Sequence, residues 1–150
     1  MRTVLFVVMC ALAACGGKSK GPDSTATEKA DTRSLYDRLG GTEGITTVVD
    51  AFVAKTGSDP RIAQFFTNAD IPHLKQMMVE HICENTGGPC KYSGKSMKES
   101  HTGMKVKKAD FDAFMDDLTQ TLDAAGVKAR EKGEVLAFFN SLEKDVVELP

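Results

Sequence analysis

Apolar residues recur along this chain at intervals of three and four, the period of a helix that buries one face. Ile45, Val48, Val49, Phe52 and Val53 make the first long stripe, and Gly57 stands where a C-terminal cap belongs. Asp59-Pro60 predicts a short helix, with the aspartate as N-cap and the proline at the first helical position. Asp70 and Pro72 open the next helix, whose face is Leu74, Met77, Met78, His81 and Ile82, and Gly87-Gly88-Pro89 closes it. Ser96 and Glu99 have the spacing of a capping box at the head of one short helical turn. Phe111, Phe114, Met115, Leu118 and Leu122 form a further stripe that stops near Gly126, and Val135, Phe138, Phe139, Leu142 and Val146 form the last. No stretch alternates with the period of a strand. The pattern predicts an all-α fold of four substantial helices and several short ones.

His101 is set apart by its surroundings. Gly87-Gly88-Pro89, Tyr92-Ser93-Gly94 and Met97-Lys98 precede it and Gly103 follows, so a tight turn, an irregular loop and one helical turn present its imidazole. A lone histidine in a helical protein is usually core or surface, but the ordered set around this one resembles the group I truncated haemoglobins from Ser34 to Val147. Leu35-Tyr36-Asp37-Arg38-Leu39-Gly40-Gly41 is similar to that family's opening helix and first glycine pair, and Phe65-Phe66 to its haem-stacking corner. The glycine pair with Tyr92-Ser93-Gly94 is similar to the loop before its proximal helix, and His101 falls where the family carries the histidine that binds haem iron. The resemblance implies a globin-like two-over-two helical sandwich, non-covalent haem b as cofactor and a diatomic gas as ligand.

It also assigns contacts. His101 is the proximal ligand, Phe65 and Phe66 pack on the porphyrin, Lys75 and Tyr92 reach a propionate, and Met97, Val106, Phe111, Phe114 and Leu118 line the proximal and inner walls. Phe52, Val53, Leu74, Met78, His81 and Ile82 form the distal pocket. Many group I members place a tyrosine and a glutamine there as hydrogen-bond donors; the aligned residues here are Val53 and Met78, and neither donates. Bound dioxygen carries partial negative charge, so this loss forfeits charge-assisted hydrogen bonds of about 1.5–3 kcal/mol each. Oxygen should leave faster, by about tenfold for every 1.4 kcal/mol. His81 shares a helix face with Leu74 and Met78, where the family usually has an apolar residue. It either turns outward at the helix flank, donates to a bound gas, or ligates the iron as a sixth ligand; the thioether of Met78 or Met77 is the other candidate for that position.

Composition bears on compartment and partners. With 150 residues, 41% of them apolar, and a net charge of −2, the chain has one-domain length and offers no basic surface for nucleic acid. Arg2 precedes an apolar run, Val4 to Ala13, too short to span a bilayer and of the size of a signal-peptide core. Leu12-Ala13-Ala14-Cys15 resembles a bacterial lipobox, in which the cysteine is lipidated; the competing reading is an ordinary cleavage site at Leu12 to Ala14 with Cys15 incidental. The polar tract from Gly16 to about Thr32 cannot bury enough surface to offset its ordering entropy and reads as a flexible linker. The expected division is a signal peptide over 1–14, a lipidated cysteine and linker over 15–33, and a truncated globin domain over 34–150. The product is an exported lipoprotein anchored on the periplasmic side of a membrane, the outer one by analogy with Gram-negative lipoproteins carrying glycine after the anchor cysteine. In that compartment Cys83 and Cys90 are a reasonable disulfide pair.

Three functions remain open. The first is a haem protein that binds oxygen, carbon monoxide or nitric oxide, with nitric oxide oxidation as its enzymatic extension and an electron donor as partner. The second is a six-coordinate haem redox or sensor protein, and the third a haem-free structural lipoprotein. His101 and Phe66 together argue against the third.

Overall fold

Ser34 accepts a hydrogen bond from the Asp37 amide at 3.0 Å and so caps the short helix α1, Leu35–Arg38. Beyond it the computed structural model continues with α2 (Gly41–Thr56), α3 (Ile71–Asn85), α4 (Met97–His101), α5 (Lys108–Ala124), α6 (Ala129–Ser141) and α7 (Glu143–Val146). It describes residues 31–149, so the expected signal peptide, Cys15 and nearly all of the linker lie outside the described residues. Among those residues there is no strand, only an isolated bridge between Lys107 and Leu149, and no helix long and apolar enough to cross a membrane.

α2 packs on α3, α5 on α6, and α2 meets α5, which joins the two pairs. Their apolar stripes converge in one core: Ile45, Val49, Phe52 and Val53 from α2, Ile82 and Cys83 from α3, Leu118 and Leu122 from α5, Val135 and Phe139 from α6. Burying side chains of this size stabilises by about 1.5–3 kcal/mol each. That exceeds the few tenths by which valines such as Val48 and Val49 disfavour a helix. α1 is held by charge. The Arg38 guanidinium, its side chain 5% exposed, bonds Glu131 and Glu134 of α6 at 2.5 Å each, and the Tyr36 amide donates to the Thr86 carbonyl just past α3 at 2.9 Å.

Two segments differ from the sequence expectation. Asp59-Pro60 opens a turn, not a helix: the Asp59 carboxylate accepts from the Arg61 amide at 2.8 Å and pairs with the Arg61 guanidinium at 2.6 Å. An aspartate bonded two residues on is an Asx turn, which competes with the N-cap it otherwise resembles; the only helical geometry here is a single 3-10 turn, Ala63–Phe65. The last apolar stripe is divided. The Leu142 amide bonds the Phe139 carbonyl at 3.0 Å, tightening the end of α6, and α7 begins at Glu143.

Cys83 and Cys90 form a disulfide with a Cα–Cα distance of 5.7 Å, tying the end of α3 to the loop that leads to α4. Gly88 runs between them so closely that a Cβ there would sit 2.6 Å from both Cys83 Sγ and Tyr36 Cδ2. Only glycine lets the main chain pass.

Candidate functional site

A helix as short as α4, Met97–His101, is not stable by propensity and relies on its ends. Ser96 Oγ accepts from the Glu99 amide at 3.2 Å, and the Glu99 carboxylate accepts from the Ser96 amide at 3.0 Å, so both halves of the capping box are present. The Ser96 hydroxyl and amide hold the Glu99 carboxyl below the usual range. One turn on, His101 Nδ1 lies 2.7 Å from the Met97 carbonyl oxygen. A carbonyl can only accept, so Nδ1 carries the hydrogen and Nε2 keeps its lone pair. An imidazole oriented this way has the tautomer that a metal ligand needs.

His101 borders a cavity of about 770 Å³. Its walls are Phe52 and Val53 of α2, Phe65 and Phe66 at the end of the 3-10 turn, Leu74, Met77, Met78 and Ile82 of α3, Met97 of α4, Val106, and Phe111 and Phe114 of α5. Phe52 meets Phe114 edge to face with ring centres 4.8 Å apart, and Phe139 backs Phe114 at 5.8 Å. Asp70, His73, Lys95 and Glu99 are exposed lining residues. Packed interiors hold few voids larger than a water molecule, so an apolar cavity of this size is the candidate binding site of the fold. Among the described residues no three His, Cys, Asp or Glu side chains converge as a site for a bare metal ion. His101 can therefore serve a metal that brings its other donors with it. A flat, largely apolar macrocycle carrying a metal that His101 could ligate fits these walls, and haem is such a group.

The expected contacts Phe65, Phe66, Leu74, Met78, Tyr92, Met97, Val106, Phe111 and Phe114 border the cavity with His101, and so do Phe52, Val53, His81 and Ile82. Two expected residues lie elsewhere. Lys75 is absent from the cavity walls, and its ammonium reaches α2, where it bonds Asp50 at 2.9 Å and ties the two helices together. Leu118, 2% exposed, belongs to the core shared by α2, α5 and α6. Tyr92 presents its ring to the cavity, but its hydroxyl donates to the Lys95 carbonyl at 2.7 Å and closes the loop on itself. Sequence reasoning missed Thr56, Ile62, His73, Met104, Phe139, Leu142 and Val146 as lining residues. Thr56 continues the α2 face three residues after Val53, and its polarity hid it; its hydroxyl donates to the Phe52 and Val53 carbonyls at 3.1 and 3.2 Å, so it brings no donor to the cavity.

All three histidines of the chain border this cavity. His81 is half-buried and packs between the Tyr92 ring at 4.8 Å and the Phe138 ring at 5.3 Å, which places it on the aromatic flank between α3 and α6. Burial holds its imidazole below the ordinary value of 6.5, so it is neutral at neutral pH. Val53 and Met78 are apolar and the Thr56 hydroxyl is satisfied by its own helix, so none of these three offers a donor to the cavity.

A family model described as "Bacterial-like globin" matches residues 34–148. A group 1 truncated hemoglobin of Mycolicibacterium paratuberculosis is 33% identical over 118 residues, covering 79% of this chain and 87% of that one. That of Tetrahymena pyriformis is 31% identical over 115 residues, and its crystal structure in the Fe(III) form superposes with a TM-score of 0.73, covering 77% of this chain and 98% of that one. A 2/2 hemoglobin from Synechococcus, solved in the cyanomet state with covalently attached heme, gives a TM-score of 0.72 at 29% identity over 77% of this chain and 98% of its own.

Proposed function

The chain belongs to the bacterial-like globin family, with group 1 truncated haemoglobins as relatives, and on that premise we propose that it holds haem through His101 and binds a diatomic gas against the α2–α3 wall. The observation that carries this reading is the His101 imidazole, fixed by the Met97 carbonyl at 2.7 Å, on the border of an apolar cavity of about 770 Å³. Haem iron supplies an open coordination position at which a diatomic gas binds.

The chain's own residues do the rest. The Met97 carbonyl keeps Nδ1 protonated and Nε2 basic, and raises the donor strength of the imidazole. Phe65, Phe66, Phe111 and Phe114 line the cavity and would exclude water from a bound macrocycle. Val53 and Met78 offer a bound gas no hydrogen bond, so this wall selects by size and apolarity and retains oxygen weakly. Nitric oxide oxidation is the catalytic extension of this reading and requires an electron donor. The second reading, a six-coordinate redox or sensor protein, is supported by Met78, which borders the cavity from the distal helix while His81 is engaged with Tyr92 and Phe138 at its flank.

The same proposal includes export and lipid anchoring at Cys15, supported by the lipobox-like sequence and by the Cys83–Cys90 pairing, which suits an oxidising compartment. Titrating the purified chain with haemin tests the haem reading. A stoichiometric Soret band is expected, and its absence would sink the proposal.

A further inference from the structure

Past α7 the chain returns to the turn that follows His101. The Glu148 carboxylate accepts two main-chain hydrogen bonds there, from the Gly103 amide at 2.7 Å and from the Lys105 amide at 2.5 Å. Both residues are left-handed: Gly103 has φ +87°, and Lys105, with φ +56°, is the one non-glycine residue of positive φ among the described residues. A side chain beyond Cβ enters that region at a steric cost. A turn of this form aims its amides at one point, a concave anion site, and here a carboxylate fills it. Met104, between the two, donates back to the His101 carbonyl at 3.0 Å. The turn is therefore the direct continuation of α4, and whatever holds it also holds the carbonyl end of His101.

The segment bearing Glu148 is docked without that carboxylate. The Glu148 and Leu149 amides both donate to the Val106 carbonyl, at 2.9 and 3.1 Å, and the Lys108 amide donates to the Leu149 carbonyl at 3.3 Å. The two bonds from the Gly103 and Lys105 amides hold the Glu148 carboxyl below the usual range. An ionised carboxylate on two amides makes charge-assisted bonds, stronger than a neutral acceptor would make. The backbone thus places the segment, and the side chain is committed to the turn.

We propose that Glu148 is a positioning residue for His101: by holding the turn from Gly103 to Lys105 it sets the orientation in which the imidazole meets haem iron. The proposal rests on the haem reading above. Its test compares the haem-loaded parent with Glu148→Ala in three ways: the ferrous iron–histidine stretch by resonance Raman, haem transfer to excess apomyoglobin, and amide exchange. In the variant the Gly103 and Lys105 amides lose protection, the iron–histidine band shifts or broadens, and haem transfers about tenfold faster. Glu148→Gln, which keeps a carbonyl acceptor, falls between, and carries the comparison alone where Glu148→Ala does not fold. Adding Lys105→Gly, which relieves the left-handed strain, lessens the effect of Glu148→Ala. A band and transfer rate equal to the parent's, with only Tm lowered, overturn the proposal and leave Glu148 a structural tie. A parent that takes up no haem overturns the functional reading and this proposal together.

Discussion

The rings of His81 and Tyr92 lie 4.8 Å apart, so α3 and the loop before α4 touch through an imidazole and a phenol at the border of the cavity. The contact half-buries His81 and depresses its pKa. Unfolding returns it to about 6.5, so between the folded value and 6.5 the unfolded chain binds more protons. The stability this group contributes is complete above 6.5 and is lost as pH falls through the folded value. His81→Phe keeps the ring contacts and removes the proton. Tm measured from about pH 7.5 to 5 should therefore fall more steeply for the parent than for the variant; parallel curves would show that burial of this imidazole is not felt.

Met78→Gln places a donor on the cavity wall where Met78 has none. Oxygen release followed by stopped flow should slow by about tenfold, the equivalent of 1.4 kcal/mol, while Met78→Leu leaves it near the parent rate. Were Met78 the sixth ligand, Met78→Leu would instead convert a six-coordinate ferrous spectrum to a five-coordinate one.

Reducing the Cys83–Cys90 bond, which spans seven positions, should destabilise the protein by roughly 2–3 kcal/mol. The loss should concentrate in the loop from Lys91 to Ser96, which the bond anchors, and amide exchange reads it directly. Protection in that loop unchanged by dithiothreitol would mean that Glu84 and Glu80, which accept from the Tyr92 and Ser93 amides at 3.3 and 3.1 Å, hold it unaided.

Much of this fold is legible because local signals and burial agree. The α2 stripe of Ile45, Val49, Phe52 and Val53 is a helix with that face in the core, and Ser96 with Glu99 caps α4 from both directions. Asp59-Pro60 misleads because the same dipeptide opens a helix or an Asx turn, and Arg61 decides for the turn. The break at Leu142 is hidden because the apolar spacing runs straight across it. For the site, periodicity places Lys75 and Leu118 on α3 and α5 but cannot say which neighbour each meets; Lys75 bonds Asp50 and Leu118 packs in the core. Glu148 lies 45 residues from Gly103, and no local pattern links the two.

Lipidation at Cys15 predicts that Cys15→Ser either frees the domain from the membrane fraction or leaves an uncleaved precursor. Intact mass of the mature chain reads both outcomes. A soluble product with an unmodified amino terminus would rule the anchor out.

Haem retention in this reading depends on His101. The most direct test is the ferrous spectrum of His101→Gly beside the parent, with and without added imidazole. The parent should show an iron–histidine stretch, and the variant should lose haem or the band and regain it when imidazole fills the space left by the side chain. A variant that retains haem with the parent's iron–histidine band would contradict the assignment.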